Sequence, residues 1–199
     1  MLVTEPHPAL VDVVAAAVRG GVSVVQIRDK TAGLVELTAT ALDLWDVTQA
    51  PVLLIVNGAS VYTVRKSADG MQLSMAACRE VPASQGQWLT GVSVHSAAEA
   101  REAEQWGADY LVAGTVYASQ SHPDIAPQGL GYLQDVCASV TVPVLAIGGI
   151  TPARVAECVA AGAAGVAVLS PIMRAADPEA MARDYRYALD TAWKTTPCT

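Results

Sequence analysis

The sequence lacks the charge pattern of two large protein classes. Its 12 Lys and Arg residues stand against 19 Asp and Glu, so the net charge is −7 with histidine neutral, and no long basic run offsets the acidic excess. This balance argues against a general nucleic-acid binder and against a protein of anionic membrane surfaces. A local site can be positive on an acidic protein, so an anionic small ligand is compatible with the chain.

The cysteines and the N-terminus lack other familiar signals. No Cys-x-x-Cys occurs, so we expect reduced thiols rather than a disulfide framework or a zinc site. The N-terminus has no basic segment followed by an apolar one, and no charge-free apolar run is long enough to span a bilayer. We therefore expect a cytoplasmic protein without nucleic acid or membrane as a partner. The widely spaced cysteines are Cys78, Cys137, Cys158 and Cys198.

Short β-branched apolar runs alternate along the chain with longer Ala-rich stretches of helical character. The 199 residues, 52% of them hydrophobic, can bury a full core. Eight runs leave roughly 25 residues for each, enough for a strand, a crossover helix and two short loops. The predicted strands are 2–4, 22–27, 52–56, 70–73, 89–94, 110–116, 143–147 and 165–169.

This alternation predicts an α/β fold, a single compact (β/α)8 TIM barrel. The runs are apolar without strict alternation, which is typical of a parallel sheet buried on both faces. We expect one domain over residues 1–199, with a frayed tail after residue 193. A doubly wound open sheet is the structural alternative, but it prefers a Gly-rich first turn, whereas Glu5-Pro6-His7-Pro8 follows the first run.

Helix boundaries are marked in several units. Ser96 and Glu99 have the spacing of a capping box, and Asp177-Pro178 places an N-cap residue before a first-turn proline. Gly107 and Gly162 lie between an Ala-rich stretch and the next run, where a left-handed residue ends a helix. These signals support helices between the strands.

Two glycines and a serine follow the last two runs. In a barrel of this kind, active sites lie at the carboxyl ends of the strands, and phosphate sites usually follow strands seven and eight. Gly148 and Gly149 offer backbone N–H groups without side-chain obstruction, and Ser170 follows the eighth run. We predict that these three residues bind a phosphate. The alternative is that the glycines only make a tight turn.

Other strand ends carry polar side chains that we assign to substrate binding. Arg28 and Lys30 alternate at period two after the second run, which predicts an anion clamp. The alternative is that both are ordinary surface cations. The remaining predicted substrate-binding residues are Asn57, Ser93 and Thr115.

His122 is the predicted catalytic acid–base residue. It lies in the loop 117–128, the longest and most polar one after a strand, which could act as a lid. An imidazole with an unperturbed pKa of about 6.5 can take and give a proton at neutral pH. The alternative is an ordinary exposed loop histidine. We expect His95 to be structural and His7 to be exposed.

Acidic side chains are missing where a metal site would need them. A magnesium–diphosphate site usually needs carboxylates at strand ends. The third run ends at Asn57-Gly58, and the fourth is followed by Ser74-Met75-Ala76-Ala77. No Gly-x-Ser-x-Gly, Walker or His-Glu-x-x-His motif occurs either. We therefore predict a site without metal.

Eight segments, in this order, resemble the thiamine-phosphate synthase and TenI superfamily over essentially the whole chain. The resemblance implies a single TIM barrel, often a homodimer, that binds thiazole and pyrimidine phosphates of thiamine biosynthesis. The matching segments are 25–30, 55–57, 91–96, 107–110, 114–117, 129–130, 146–150 and 166–170.

Within that superfamily, the synthase branch typically has Asn-Asp after strand three, an acid after strand four and Thr-x-Thr-Lys after strand six, for magnesium and diphosphate. This chain has Gly58 in the aspartate position, no acid between Ser74 and Cys78, and Ser-Gln-Ser-His at 119–122. The resemblance therefore implies the TenI-like branch. We expect a thiazole tautomerase, an isomerase without cofactor that aromatises a carboxythiazole phosphate.

In this interpretation His122 shuttles the proton, while Arg28 and Lys30 face the substrate carboxylate. One alternative is a thiamine-phosphate synthase that couples a pyrimidine diphosphate to thiazole phosphate with magnesium. Another is a non-catalytic barrel that binds a related phosphate ligand and acts through protein partners.

Overall fold

Eight parallel strands, paired with their neighbours in chain order, form the central sheet of the computed structural model. The structure describes residues 1–48, 51–58, 68–80, 88–119 and 124–195. Most strand residues are buried without alternation, because helices cover one face and the barrel interior the other. The strands are β1 Leu2–Val3, β2 Val24–Ile27, β3 Leu53–Asn57, β4 Gly70–Ser74, β5 Leu89–Val94, β6 Tyr110–Ala113, β7 Val144–Ile147 and β8 Gly165–Ala167.

The sheet closes on itself beside β8. Leu2 pairs with Val168 in parallel, and the N–H of Val3 donates to the Val168 oxygen at 2.8 Å. In return, the N–H of Val168 donates to the Met1 oxygen at 3.0 Å. The predicted (β/α)8 barrel is therefore confirmed, and the open doubly wound sheet is not what the chain forms.

Each predicted apolar run overlaps a strand. Strand β6 is three residues shorter than expected, and β1, β2, β7 and β8 are shorter by one or two residues. The β6 ladder stops at Ala113, whereas the apolar run continues to Val116. Val116 is fully buried, and its N–H donates to the Ile147 oxygen at the end of β7. Its apolar character therefore reports burial beneath the barrel mouth rather than strand pairing.

The helices alternate with the strands wherever the structure describes the connection, and residues 59–67 between β3 and β4 lie outside the described part. The sequence signals mark several helix ends. The Ser96 hydroxyl accepts from the Glu99 N–H at 3.1 Å, as expected for an N-cap, but the Glu99 carboxylate accepts from the His95 N–H. Gly107 and Gly162 have φ values of 87° and 100°. The helices are α1 Leu10–Arg19, α2 Leu34–Thr48, α3 Met75–Glu80, α4 Ala97–Gln105, α5 Gly129–Ala138, α6 Val155–Ala160, α7 Ser170–Met173 and α8 Pro178–Thr195, with a 3-10 turn at Pro152–Arg154.

Helix α8 connects the outer layer to the barrel mouth. The hydroxyl of Tyr185, which is buried, donates to the Ile150 oxygen at 2.7 Å. The helix runs to Thr195, past the point where we expected fraying, and residues 196–199 lie outside the described part. Among the described residues, no helix has the length and apolar character needed to cross a bilayer.

Candidate active site

A cavity of about 630 Å³ opens at the carboxyl ends of the strands. Such ends meet at one face of a parallel barrel, which brings together residues that are far apart in sequence. The predicted site residues that line this cavity are Arg28, Asn57, Ser93, Thr115, Gly148, Gly149 and Ser170.

The Gly148–Gly149 bend forms part of the cavity wall and requires glycine at both positions. The φ values are 103° and 61°, in the region that side chains disfavour. A Cβ on Gly148 would lie 2.5 Å from Thr115 Cγ2, and one on Gly149 would overlap the Ala118 carbonyl oxygen. Neither glycine N–H donates to any residue that the structure describes, so both are available to a ligand.

Arg154 supports this bend from the following turn. Its Nη1 donates to the Gly149 oxygen at 2.7 Å, and its guanidinium carbon lies 4.4 Å from the centre of the Tyr117 ring. The Tyr117 hydroxyl in turn donates to Glu157 Oε2 at 2.7 Å. Arg154 also lines the cavity. Our sequence analysis missed it, although it lies one helical turn after the predicted phosphate glycines.

Two further side chains line the cavity. Arg174 lines it and binds the Glu5 carboxylate through two contacts of 2.8 and 3.1 Å. Its hydrogen bond to Glu5 holds the pKa of that carboxyl below its usual value. His95, which we expected to be structural, lines the cavity as well, and its Nδ1 lies 3.3 Å from Glu99 Oε2.

Beneath the rim, a buried amide orients Ser93. Gln72 is 1% exposed, and its Nε2 donates to the Ser93 hydroxyl at 3.0 Å. Gln72 Oε1 and the Tyr110 hydroxyl have no hydrogen-bond partner among the described residues. Burial raises the pKa of Tyr110 well above its ordinary value, which keeps this phenol neutral.

Lys30 lies outside the cavity lining, on the exposed surface. The strand that carries Arg28 ends at Ile27, and Asp29 then begins a turn. Asp29 Oδ1 accepts hydrogen bonds from the N–H and hydroxyl of Thr31, both at 2.8 Å, and these bonds lower the Asp29 pKa. The extended period-two geometry that we assumed therefore does not reach Lys30.

His122 lies outside the described residues, so its position stays a prediction. Its loop does border the site on both sides of the undescribed segment, because Ala118, Ser119 and Ile125 line the cavity. The loop is held to the end of β6 by the N–H of Gln128, which donates to the Thr115 oxygen at 2.9 Å.

The residues present do not fit a magnesium ion held by carboxylates. No Asp or Glu lines the cavity, and the described part contains no group of three or more His, Cys, Asp and Glu that could hold a metal ion. Asn57 is followed by Gly58, whose φ of 119° is one that an aspartate would rarely adopt. Magnesium prefers carboxylate oxygens, and none is among the residues that line the cavity.

Comparison with known proteins shows where the chain belongs. A family model described as "Thiamine monophosphate synthase" matches residues 1–172. The chain is a member of this family. It is 40% identical over 181 residues to the thiamine-phosphate synthase of Chloroflexus aurantiacus, and the alignment covers 87% of this chain and 82% of that protein. The corresponding protein of Natronomonas pharaonis is 41% identical over 177 residues and covers 84% and 82%.

A solved relative in the thiamine monophosphate synthase family has the same fold throughout. The structure of thiamine phosphate pyrophosphorylase from Pyrococcus furiosus matches with a TM-score of 0.81 and 32% identity, covering 96% of each chain. The superfamily placement made from the sequence is thus confirmed.

The tautomerase interpretation, however, is wrong, and so is the assignment as an isomerase. Relatives such as those from Chloroflexus aurantiacus and Bacillus velezensis, at 40% and 36% identity, are named thiamine-phosphate synthase. The choice between the synthase and TenI-like branches depended on three short loop segments. Similarity to the synthases along the rest of the barrel outweighs those segments. The proton-shuttling role that we gave His122 belonged to the tautomerase reaction and is withdrawn with it.

Proposed function

We propose that this protein is a thiamine-phosphate synthase, a transferase that couples a pyrimidine diphosphate to thiazole phosphate. The observation that carries the proposal is the similarity to thiamine-phosphate synthases over 87% of the chain, at 40% identity. In this reaction, the bond from the pyrimidine unit to its diphosphate breaks, a bond to the thiazole forms, and diphosphate leaves.

The thiazole phosphate is proposed to bind at the Gly148–Gly149 bend. Two N–H groups without partners among the described residues favour an anion, and Ser170 lies at the same cavity. Backbone donors fixed before the ligand arrives need little reorganisation, so they position the thiazole for attack.

The pyrimidine diphosphate is proposed to bind on the opposite wall, beside Arg28. Asn57, Ser93 and Thr115 line the cavity on the β3, β5 and β6 sides. Arg28 forms no ion pair with a carboxylate within 4.0 Å in the described part, and every Asp and Glu of the chain is described, so its charge is available to the leaving diphosphate. No step of this proposal passes through a metal ion.

Several earlier expectations stay predictions within this proposal. They are a small phosphorylated thiazole ligand, no nucleic acid or membrane as a partner, a homodimeric assembly and a cytoplasmic location. The expected absence of a cofactor also stays a prediction.

Coupling activity tests the proposal directly. The purified protein, incubated with the pyrimidine diphosphate and thiazole phosphate, should form thiamine phosphate, and the Arg28→Gln variant should form it at least tenfold more slowly because an ionic hydrogen bond is lost. Arg101→Gln removes an exposed cation on α4, outside the cavity, and should match the wild type. Tight binding of both ligands without product would contradict the proposal and favour a non-catalytic barrel.

A further inference from the structure

The charged side chains that line the cavity are cationic. Arg28, Arg154 and Arg174 contribute guanidinium groups, and no Asp or Glu is among the lining residues. The undescribed segments contain no Asp or Glu in sequence, so they bring no acidic side chain into the cavity. On a protein with a net charge of −7, this is a localised positive site.

Two carboxylates beside cavity-lining residues are already bound by the protein. Both oxygens of Glu5 accept from Arg174, and the Oε2 atom of Glu157 accepts from Tyr117. A divalent ion would have to displace these partners. Neither carboxylate is itself among the residues that line the cavity.

The positions that the resemblance associates with magnesium, after β3 and after β4, carry no acidic side chain. After β3, Gly58 adopts a φ of 119°, and nothing lies within 4 Å of the place its Cβ would take. After β4, α3 begins immediately, and the side chains there are the buried Met75 and the short Ala76 and Ala77. An acidic side chain is absent from both loops, and the first would need a change of backbone to accept one.

Arg154 supplies positive charge beside the Gly148–Gly149 bend. Its guanidinium is held by the Gly149 oxygen at 2.7 Å and by the Tyr117 ring at 4.4 Å, so it is fixed beside the amide donors. One donor contact uses Nη1, and a guanidinium carries five N–H donors, so others remain for a phosphate. A planar guanidinium can bind phosphate oxygens through two parallel hydrogen bonds.

We propose that this site binds the phosphate groups of its substrates on Arg28 and Arg154, without a divalent ion held by the protein. The inference rests on the proposed synthase function and assigns Arg154 as a phosphate-binding residue. Arg174 forms an ion pair with Glu5 at the rim, so a metal ion would have to displace Arg174 to bind that carboxylate.

Calorimetry with inorganic diphosphate in buffer stripped of metals by a chelating resin tests this inference. The wild type should bind diphosphate, and Arg28→Gln should weaken that binding by roughly tenfold or more, the loss expected for a charge-assisted hydrogen bond. Arg154→Gln should weaken the binding of inorganic phosphate in the same buffer by a similar factor, because Arg154 lies beside the Gly148–Gly149 bend. Arg154→Lys, which keeps the charge but loses the two-point geometry, should bind with intermediate affinity and guards against a folding defect. Arg101→Gln, an exposed cation outside the cavity, is the matched control.

Two results would overturn the inference. One is diphosphate binding that is absent in the stripped buffer and appears only when magnesium is added. The other is removal of free Mn²⁺ from solution by the protein alone, seen as loss of its paramagnetic resonance signal. Either result, with coupling still observed, would refute the inference and leave the synthase proposal intact. Diphosphate binding without metal, but with no coupling under any condition, would refute the synthase proposal and leave the inference of metal-free phosphate binding intact.

Discussion

Single residues in this site act through the backbone as much as through their side chains. Gly148 and Gly149 were predictable from sequence, because paired glycines after a strand expose two N–H groups. Arg154 was not, because its importance depends on a side chain that reaches back to the Gly149 oxygen, a contact that no spacing rule encodes. Lys30 lies outside the cavity lining, since a turn at Asp29 follows the end of β2, and its role in binding stays a prediction.

Replacing Gly149 with alanine tests the requirement for glycine in the bend. The new Cβ would overlap the Ala118 carbonyl oxygen, and the φ of 61° is unfavourable for alanine. We expect Gly149→Ala to lower the free energy of unfolding by about 1–3 kcal/mol, measured in urea, and to weaken binding of inorganic phosphate.

Gly131→Ala is the matched control for this prediction. Gly131 lies within α5, and no atom lies within 4 Å of its Cβ position. Alanine there should stabilise the protein by about 0.5–1 kcal/mol, because glycine loses more conformational entropy in a helix. A Gly149→Ala protein as stable as the wild type would show that the bend does not need glycine.

Among the elements, two of the strand connections use the same aspartate contact at the amino end of the barrel. Asp69 Oδ2 accepts from the Leu54 N–H at 2.7 Å, and Asp109 Oδ2 accepts from the Thr90 N–H, also at 2.7 Å. In each case the aspartate N–H donates back to the oxygen of the same partner. At the corresponding point before β8, the Ala164 N–H donates to the Val144 oxygen, but alanine cannot accept a return bond.

Completing this contact at the third position should stabilise the barrel. Ala164→Asp places a carboxylate where it can accept from the Val144 N–H, and we expect a gain of about 0.5–1.5 kcal/mol in urea unfolding. Asp109→Ala should lose about the same amount, whereas Asp109→Asn, which keeps an acceptor oxygen, should lose less. A destabilised Ala164→Asp protein would show that the repeated contact is not transferable.

Helix α8 supports the site through Tyr185, and this contact predicts a pH dependence. Burial raises the pKa of Tyr185 from 10.0 to about 12, so the folded state keeps its proton when the unfolded chain has lost it. Its stabilising contribution is therefore complete below pH 10 and is lost as the pH rises through 12.

Tyr185→Phe tests this dependence. At neutral pH the variant should be less stable by about 1–2 kcal/mol, because the buried Ile150 oxygen loses its donor. In urea unfolding at rising pH, the difference between wild type and variant should shrink above pH 10, since phenylalanine does not ionise. A difference that stays constant to pH 12 would contradict the assignment of the raised pKa to this phenol.

At the scale of the whole molecule, the barrel followed from the sequence and the reaction did not. Eight apolar runs with room for a helix between them leave few topologies other than a closed parallel barrel, and closure at Leu2 and Val168 follows that pattern. Both branches of the superfamily bind phosphorylated substrates, so the reaction depends on which substrates the phosphate site brings together. Because acidic residues are missing at Gly58 and after Ser74, we expected a different reaction. Their absence bears on how the charge of the substrate phosphates is neutralised, not on which substrates bind.

The most direct test of this account follows both phosphorus-containing substrates in one sample by ³¹P nuclear magnetic resonance. The account predicts that the pyrimidine diphosphate and thiazole phosphate signals decrease together while thiamine phosphate and free diphosphate appear in equal amounts. A folded protein that leaves both substrates unchanged, with or without magnesium, would contradict its central claim.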